Sequence, residues 1–138
     1  MASAKEYSKL LDYWKPRLGL SDWEIRFEAK HPHDMRSEAQ GSCYVTRSRR
    51  IAYIEVAEPQ AKEHDVEQTV VHELLHCYFD LQDFDAKDYA YVQSETGVDA
   101  IACLLVKMRR ENELVRTKAP RKPDRRRKPT KKGSRDNP

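Results

Sequence analysis

Two imidazoles stand four residues apart in Val71-His72-Glu73-Leu74-Leu75-His76, with a carboxylate beside the first. On an α-helix, positions i and i+4 lie on one face, so His72 and His76 can grip one metal ion together. Glu73 is turned ~100° from His72, too far for a third bond from the same turn. It can instead reach a water on that metal, the position from which a carboxylate acts as a general base. So short a pattern also arises in helices that merely expose two histidines. The surroundings must decide.

Around this helix, Val66, Val70, Val71, Leu74, Cys77, Tyr78 and Leu81 project to one side, while Thr69, His72, Glu73, His76 and Asp80 gather on the other. The pattern predicts a helix that buries one face and offers the other to a cleft. Asp65 and Gln68 read as N-cap and N3 of a capping box, which starts the helix near Val66. Zinc held by two histidines needs a third protein ligand and an open position to be catalytic. Glu95 follows His76 by nineteen residues, room for a helix end, a loop and a returning antiparallel helix. Asp99, one turn further along, can accept the remaining N–H of a ligand histidine and fix its tautomer. Both acids also fit a solvated face. The stripe Tyr91, Glu95, Asp99, Ala102 and Val106 mixes them with residues that seek burial, which favours an inward role.

His72-Glu73-x-x-His76 followed by Glu95-x-x-x-Asp99 resembles the gluzincin metallopeptidases of the thermolysin-like clan, in the single-domain form of the minigluzincins. The resemblance covers roughly residues 5–110, and only the two motif segments are specific. It implies Zn2+ on His72, His76 and Glu95, Glu73 as the base that activates water, and Asp99 as the partner of a ligand histidine. The reaction it implies is hydrolysis of a peptide bond in a protein or peptide substrate. The implied fold is α+β: an N-terminal helix, a small three-stranded, mainly antiparallel sheet, the active-site helix and a glutamate-bearing C-terminal helix. The large second lobe of thermolysin, with its further catalytic groups, has no counterpart here. Tyr89, Tyr91 and His64 are alternative stand-ins for its transition-state role. Two other classes stay open: a regulatory peptidase that cleaves a phage or bacterial repressor, and a non-catalytic, zinc-containing nucleic-acid-binding or protein-binding module. Glu73 argues against the last, because a structural zinc site has no use for that base.

These residues need elements to position them. Tyr7, Leu10, Leu11, Trp14 and Leu18 repeat at helical steps and predict an amphipathic helix over 5–18, with Pro16 tightening its last turn. Trp23, Ile25 and Phe27 alternate with charged residues as a half-buried strand does. His31-Pro32-His33-Asp34 breaks that strand, and its two histidines are expected to face solvent rather than a metal. Residues 40–46 and 50–56 read as two further strands around an Arg47-Ser48-Arg49 turn, with Ala52, Ile54 and Val56 on one face. In the gluzincin arrangement the strand just before the active helix borders the cleft and pairs with an extended peptide, and 50–56 is expected in that place. Its plainer reading is an edge strand protected by Arg49 and Arg50. A helix over about 89–113 closes the domain.

With 138 residues and 38% hydrophobic content, the chain makes one modest domain. Residues 1–115 are expected to form it, and 116–138 a basic, Pro-rich, disordered tail. That tail holds eleven Lys or Arg against two Asp, a net +9, which leaves −6 of the chain's +3 on the rest. It is a candidate contact for nucleic-acid phosphates through counterion release. It also suits a nuclear address, the acidic body of another copy, or plain solubility. No apolar run reaches membrane-spanning length and the N-terminus lacks signal-peptide features. A cytoplasmic, non-secreted protein of a bacterial or phage-infected cell is therefore expected, with no membrane partner. Cys43, Cys77 and Cys103 are odd in number and form no CxxC pair, which predicts reduced thiols. Cys77 is expected to point into the core rather than to zinc.

Overall fold

The computed structural model describes residues 4–35, 39–79 and 87–119. Its first element, α1 (Ala4–Arg17), buries Tyr7 and Trp14, and Leu10, Leu11 and Leu18 pack against the same core. Pro16 lies in the last turn. The chain then reverses through Gly19 at φ 71°, where Leu20 N–H donates to the Lys15 carbonyl at 2.9 Å. Glycine takes that left-handed conformation without a Cβ clash. The reversal drives Leu20 fully into the core.

Strands β1 (Glu24–Lys30), β2 (Gly41–Thr46) and β3 (Ile51–Ala57) form one sheet in the order β1-β3-β2. β1 runs parallel to β3, with Phe27 opposite Ile54, and β2 runs antiparallel to it, with Cys43 opposite Ile54. The sheet is thus mixed, not mainly antiparallel as expected. The expected place of 50–56 is also corrected: β3 is the centre of the sheet, and β2 is an edge. Burial explains the order. Ala52, Ile54 and Val56 on one face of β3 are fully buried, and so is Glu55 on the other, where Lys30 Nζ meets it at 2.7 Å. A strand enclosed on both faces belongs in the interior of a sheet. The β2–β3 turn is the 3-10 segment Arg47–Arg49 followed by Arg50 in the left-handed region, with Arg50 paired to Asp22.

Helix α2 (Val66–Leu75) starts where its cap predicts: the Asp65 side chain accepts from the Gln68 N–H at 3.0 Å. It buries Val70, Val71, Leu74 and Leu75. The helix stops earlier than the apolar spacing implied. Cys77 follows into the core, but Tyr78 is largely exposed and reaches back to donate its hydroxyl to the Leu18 carbonyl. Asp80 and Leu81, expected to continue α2, lie outside the described residues, as does most of the following linker.

Helix α3 (Tyr89–Lys118) is longer than expected, running through residues 116–118 that the composition assigned to the tail. Residues 120–138 lie outside the described residues. Contacts between α2 and α3 run in opposite order: Asp65 and Glu67 meet Arg110 and Arg109, Gln68 meets Asp99, and His72 meets Glu95. The two helices are therefore antiparallel. Buried Glu67 ties three helices, accepting from Trp14 Nε1 at 2.8 Å and Arg109 Nη2 at 2.6 Å. Among the described residues, no helix is long and apolar enough to cross a membrane.

Candidate metal centre

His72 and His76 occupy the last turn of α2 and its C-cap. His76 has left the regular helix, its N–H bonding the Glu73 carbonyl at 3.2 Å, yet its backbone stays right-handed at φ −63°, ψ −15°. The i, i+4 relation survives, and the two rings lie 5.0 Å apart at 69°. Glu95 reaches across from α3 between them. Its Oε2 is 3.0 Å from His72 Nε2 and its Oε1 is 3.3 Å from His76 Nε2. One donor atom from each of these residues falls within 4.8 Å of the others, so His72, His76 and Glu95 could hold a metal ion. Two imidazole nitrogens and a carboxylate oxygen form a donor set suited to a first-row divalent cation.

The second nitrogen of each ring is directed by a different group. His76 Nδ1 is 2.9 Å from the Phe79 carbonyl, so it donates there and leaves Nε2 to face Glu95. His72 Nδ1 faces Asp99 Oδ1 at 3.5 Å, longer than an ordinary N–H···O bond, and Asp99 is itself held by Gln68 Nε2 at 3.2 Å. Gln68 thus spends its side chain on Asp99 rather than on closing the capping box. Sequence reasoning missed the Phe79 carbonyl, because a backbone acceptor leaves no residue-type signal.

Glu73 points into the same space and is only 5% exposed. Burial is the main cause that pushes its carboxyl up to about 7, with His76 and His72 working against it and Glu95 adding to it. Burial works to lower His76, but the bond with Glu95 and the charges of Glu73 and Glu95 outweigh it and raise it to about 9. Burial also works to raise Glu95, while the bonds with His72 and His76 hold it down at about 2. These opposite shifts describe a tight cluster of strongly interacting charged groups.

Gly41, on the edge strand β2, explains how Glu73 is held. A Cβ there would lie 2.5 Å from Glu73 Oε1 and 2.8 Å from its Cγ. The strand therefore passes against the carboxylate with no room for a side chain. Nothing in the sequence marked this glycine, since its role is tertiary.

The cluster opens into a cleft of about 650 Å³ between β2, the exposed face of α2 and the start of α3. Gln40 to Tyr44 form one wall, and no Lys or Arg lines the cleft among the described residues. Of the three transition-state candidates, Tyr91 and His64 line it, whereas Tyr89 is 76% exposed and accepts from Gln93. Burial, together with the neighbouring Glu95 carboxylate, raises the pKa of the Tyr91 hydroxyl. His31 and His33 stack on each other in their loop, exposed and away from the cleft. Cys77 is buried, as expected. No protein-family model, curated protein or solved structure matches this chain.

Proposed function

We propose that this protein is a zinc-dependent endopeptidase, with His72, His76 and Glu95 as the ligands. One observation carries the reading: a buried carboxylate, Glu73, lies beside a three-donor metal cluster on the floor of a cleft bounded by a sheet edge. Held by His72, His76 and Glu95, zinc would supply Lewis-acid chemistry, lowering the pKa of water toward ~7 and polarising a carbonyl. Glu73 takes the proton of the attacking water and delivers it to the leaving amine. Asp99 and the Phe79 carbonyl direct the two imidazoles so that their Nε2 atoms converge. Tyr91 reaches the same space from α3 and donates to the oxyanion of the tetrahedral intermediate.

The substrate is an extended protein or peptide segment. The position of β2 at the edge of the sheet supports this, because main-chain pairing binds a strand with little demand on its side chains. The burial of Glu73 weighs against a zinc site kept only for stability, since burying a carboxylate without a task costs free energy.

Metal analysis and peptide hydrolysis test the proposal together. Purified protein is expected to carry about one zinc, and His72→Ala, His76→Ala and Glu95→Ala each lose it. Glu73→Gln is expected to keep the metal and lose hydrolysis. A Glu95→Ala variant with full zinc content would remove the assignment.

A further inference from the structure

We infer that Cys43 and Cys77 form an oxidation site, a dithiol that closes to a disulfide across the cleft wall. The inference does not depend on the hydrolytic reading. The two residues come from different elements, Cys43 from the edge strand β2 and Cys77 from the turn after α2. Strand and helix end run alongside each other, Gly41 against Glu73 and Arg47 Nη2 donating to the Tyr78 carbonyl at 2.7 Å, and these two contacts bracket Cys43 beside Cys77. Gly41 shows how closely the strand and helix abut, and Cys43 follows two positions later on the same face of β2. Both side chains pack against the core, so neither is free to swing away.

Access to the two sulfurs is unequal. Cys43 is half-buried and lines the cleft, whereas Cys77 is 2% exposed. A small peroxide entering the cleft meets Cys43 first. The Cys43 sulfur, its proton passed to solvent, attacks the O–O bond of hydrogen peroxide; a sulfenic acid forms and hydroxide leaves, taking up a proton as water. The Cys77 sulfur then attacks the Cys43 sulfur, the S–O bond breaks, and a second water leaves with the Cys77 proton. One peroxide is reduced to two waters while two thiols are oxidised to one disulfide. The bond joins β2 to the residue that follows His76, so the two walls of the cleft can no longer part. Cys103, on α3, supplies the contrast: its free thiol is exposed to solvent.

The test uses the full chain with Cys103→Ser, treated with a modest excess of hydrogen peroxide. The intact mass is expected to fall by two hydrogens, and a non-reducing peptide map to join the Cys43 and Cys77 peptides. Dithiothreitol should reverse both changes. Closing a loop of about 35 residues should raise the melting temperature of the oxidised form by roughly 10 °C. Sulfinic acid at Cys43 with Cys77 still open to alkylation after unfolding would overturn the inference. Cys43→Ser, a near-isosteric change at a half-buried position, adds a second check. In it, Cys77 should stay reduced at the same peroxide dose, and its oxidation would show that the buried thiol reacts without its neighbour.

Discussion

At the scale of single residues, the cluster's chemistry is set by how four groups share charge. In the metal-free protein the His76 pKa is raised from 6.5 to about 9 by its carboxylate neighbours, and Glu73 is raised from 4.5 to about 7, chiefly by burial. Each binds its proton more tightly folded than unfolded, so each contributes stability at low pH that disappears as pH rises. The Glu73 contribution fades between 4.5 and 7, and that of His76 between 6.5 and 9. Glu95 has the opposite sign: lowered to about 2, it stabilises above 4.5 and loses that effect as pH falls toward 2. A metal reverses the balance on the alkaline side, because protons must leave before the ligands can bind it. Between pH 6.5 and 9 the melting temperature of chelator-stripped protein should fall, while that of metal-loaded protein should hold or rise. Parallel curves for the two forms would show that these side chains do not bind the metal. Gly41 gives a second residue-scale prediction. Gly41→Ala places a methyl 2.5 Å from Glu73 Oε1 and must push the carboxylate aside. Metal content should be unchanged, and hydrolysis should fall roughly 100-fold, the scale of an ångström-sized misplacement. Unaltered turnover would mean that Glu73 is not held by this contact.

At the scale of elements, what was legible followed from local rules. The apolar spacing of Tyr7, Leu10, Leu11 and Trp14 marked α1, and Asp65 marked the start of α2, because periodicity and capping are written in neighbouring residues. The cluster His72, His76 and Glu95 was legible too, since i, i+4 spacing and a returning helix suffice to bring them together. Strand order was not. Alternation tells which side of β3 is buried but not which strand lies beside it, and only the burial of Glu55 on its second face separates a central strand from an edge. The end of α2 was misjudged for a related reason: Tyr78 has the spacing of a core residue but spends its hydroxyl on Leu18. Glu67 was likewise unmarked, reading as one more first-turn acid. It is buried against Trp14 and Arg109 and fixes α1 and α3 to α2, and so fixes how Glu95 approaches the histidines. Glu67→Gln should cost about 3 kcal/mol, the scale of breaking a buried ion pair, measured by urea unfolding. A variant as stable as the parent would show that the hydrogen bonds, which glutamine can partly keep, matter and the charge does not.

At the scale of the whole molecule, charge is unevenly divided along the chain. Residues 120–138 hold nine Lys or Arg against two Asp, while the buried residues of the described core fall between Tyr7 and Val106. The cleft, lined by carboxylates and histidines, offers no Lys or Arg of its own among the described residues. The basic segment is thus separate in sequence from both the core and the cluster. Deleting 120–138 should leave the melting temperature and metal content unchanged, because no described core contact is removed. Cleavage of a short uncharged peptide should also persist, since no residue of the cleft is lost. Binding to duplex DNA is where the deletion should act. The intact chain should bind with an affinity that declines steeply on a logarithmic salt scale, the mark of counterion release from phosphates. The truncated chain, left with a net negative charge, should bind far more weakly. Equal affinity of the two chains for DNA would assign the segment to solubility or to a protein partner. A truncated chain that melts well below the parent would instead place part of 120–138 against the body of the domain.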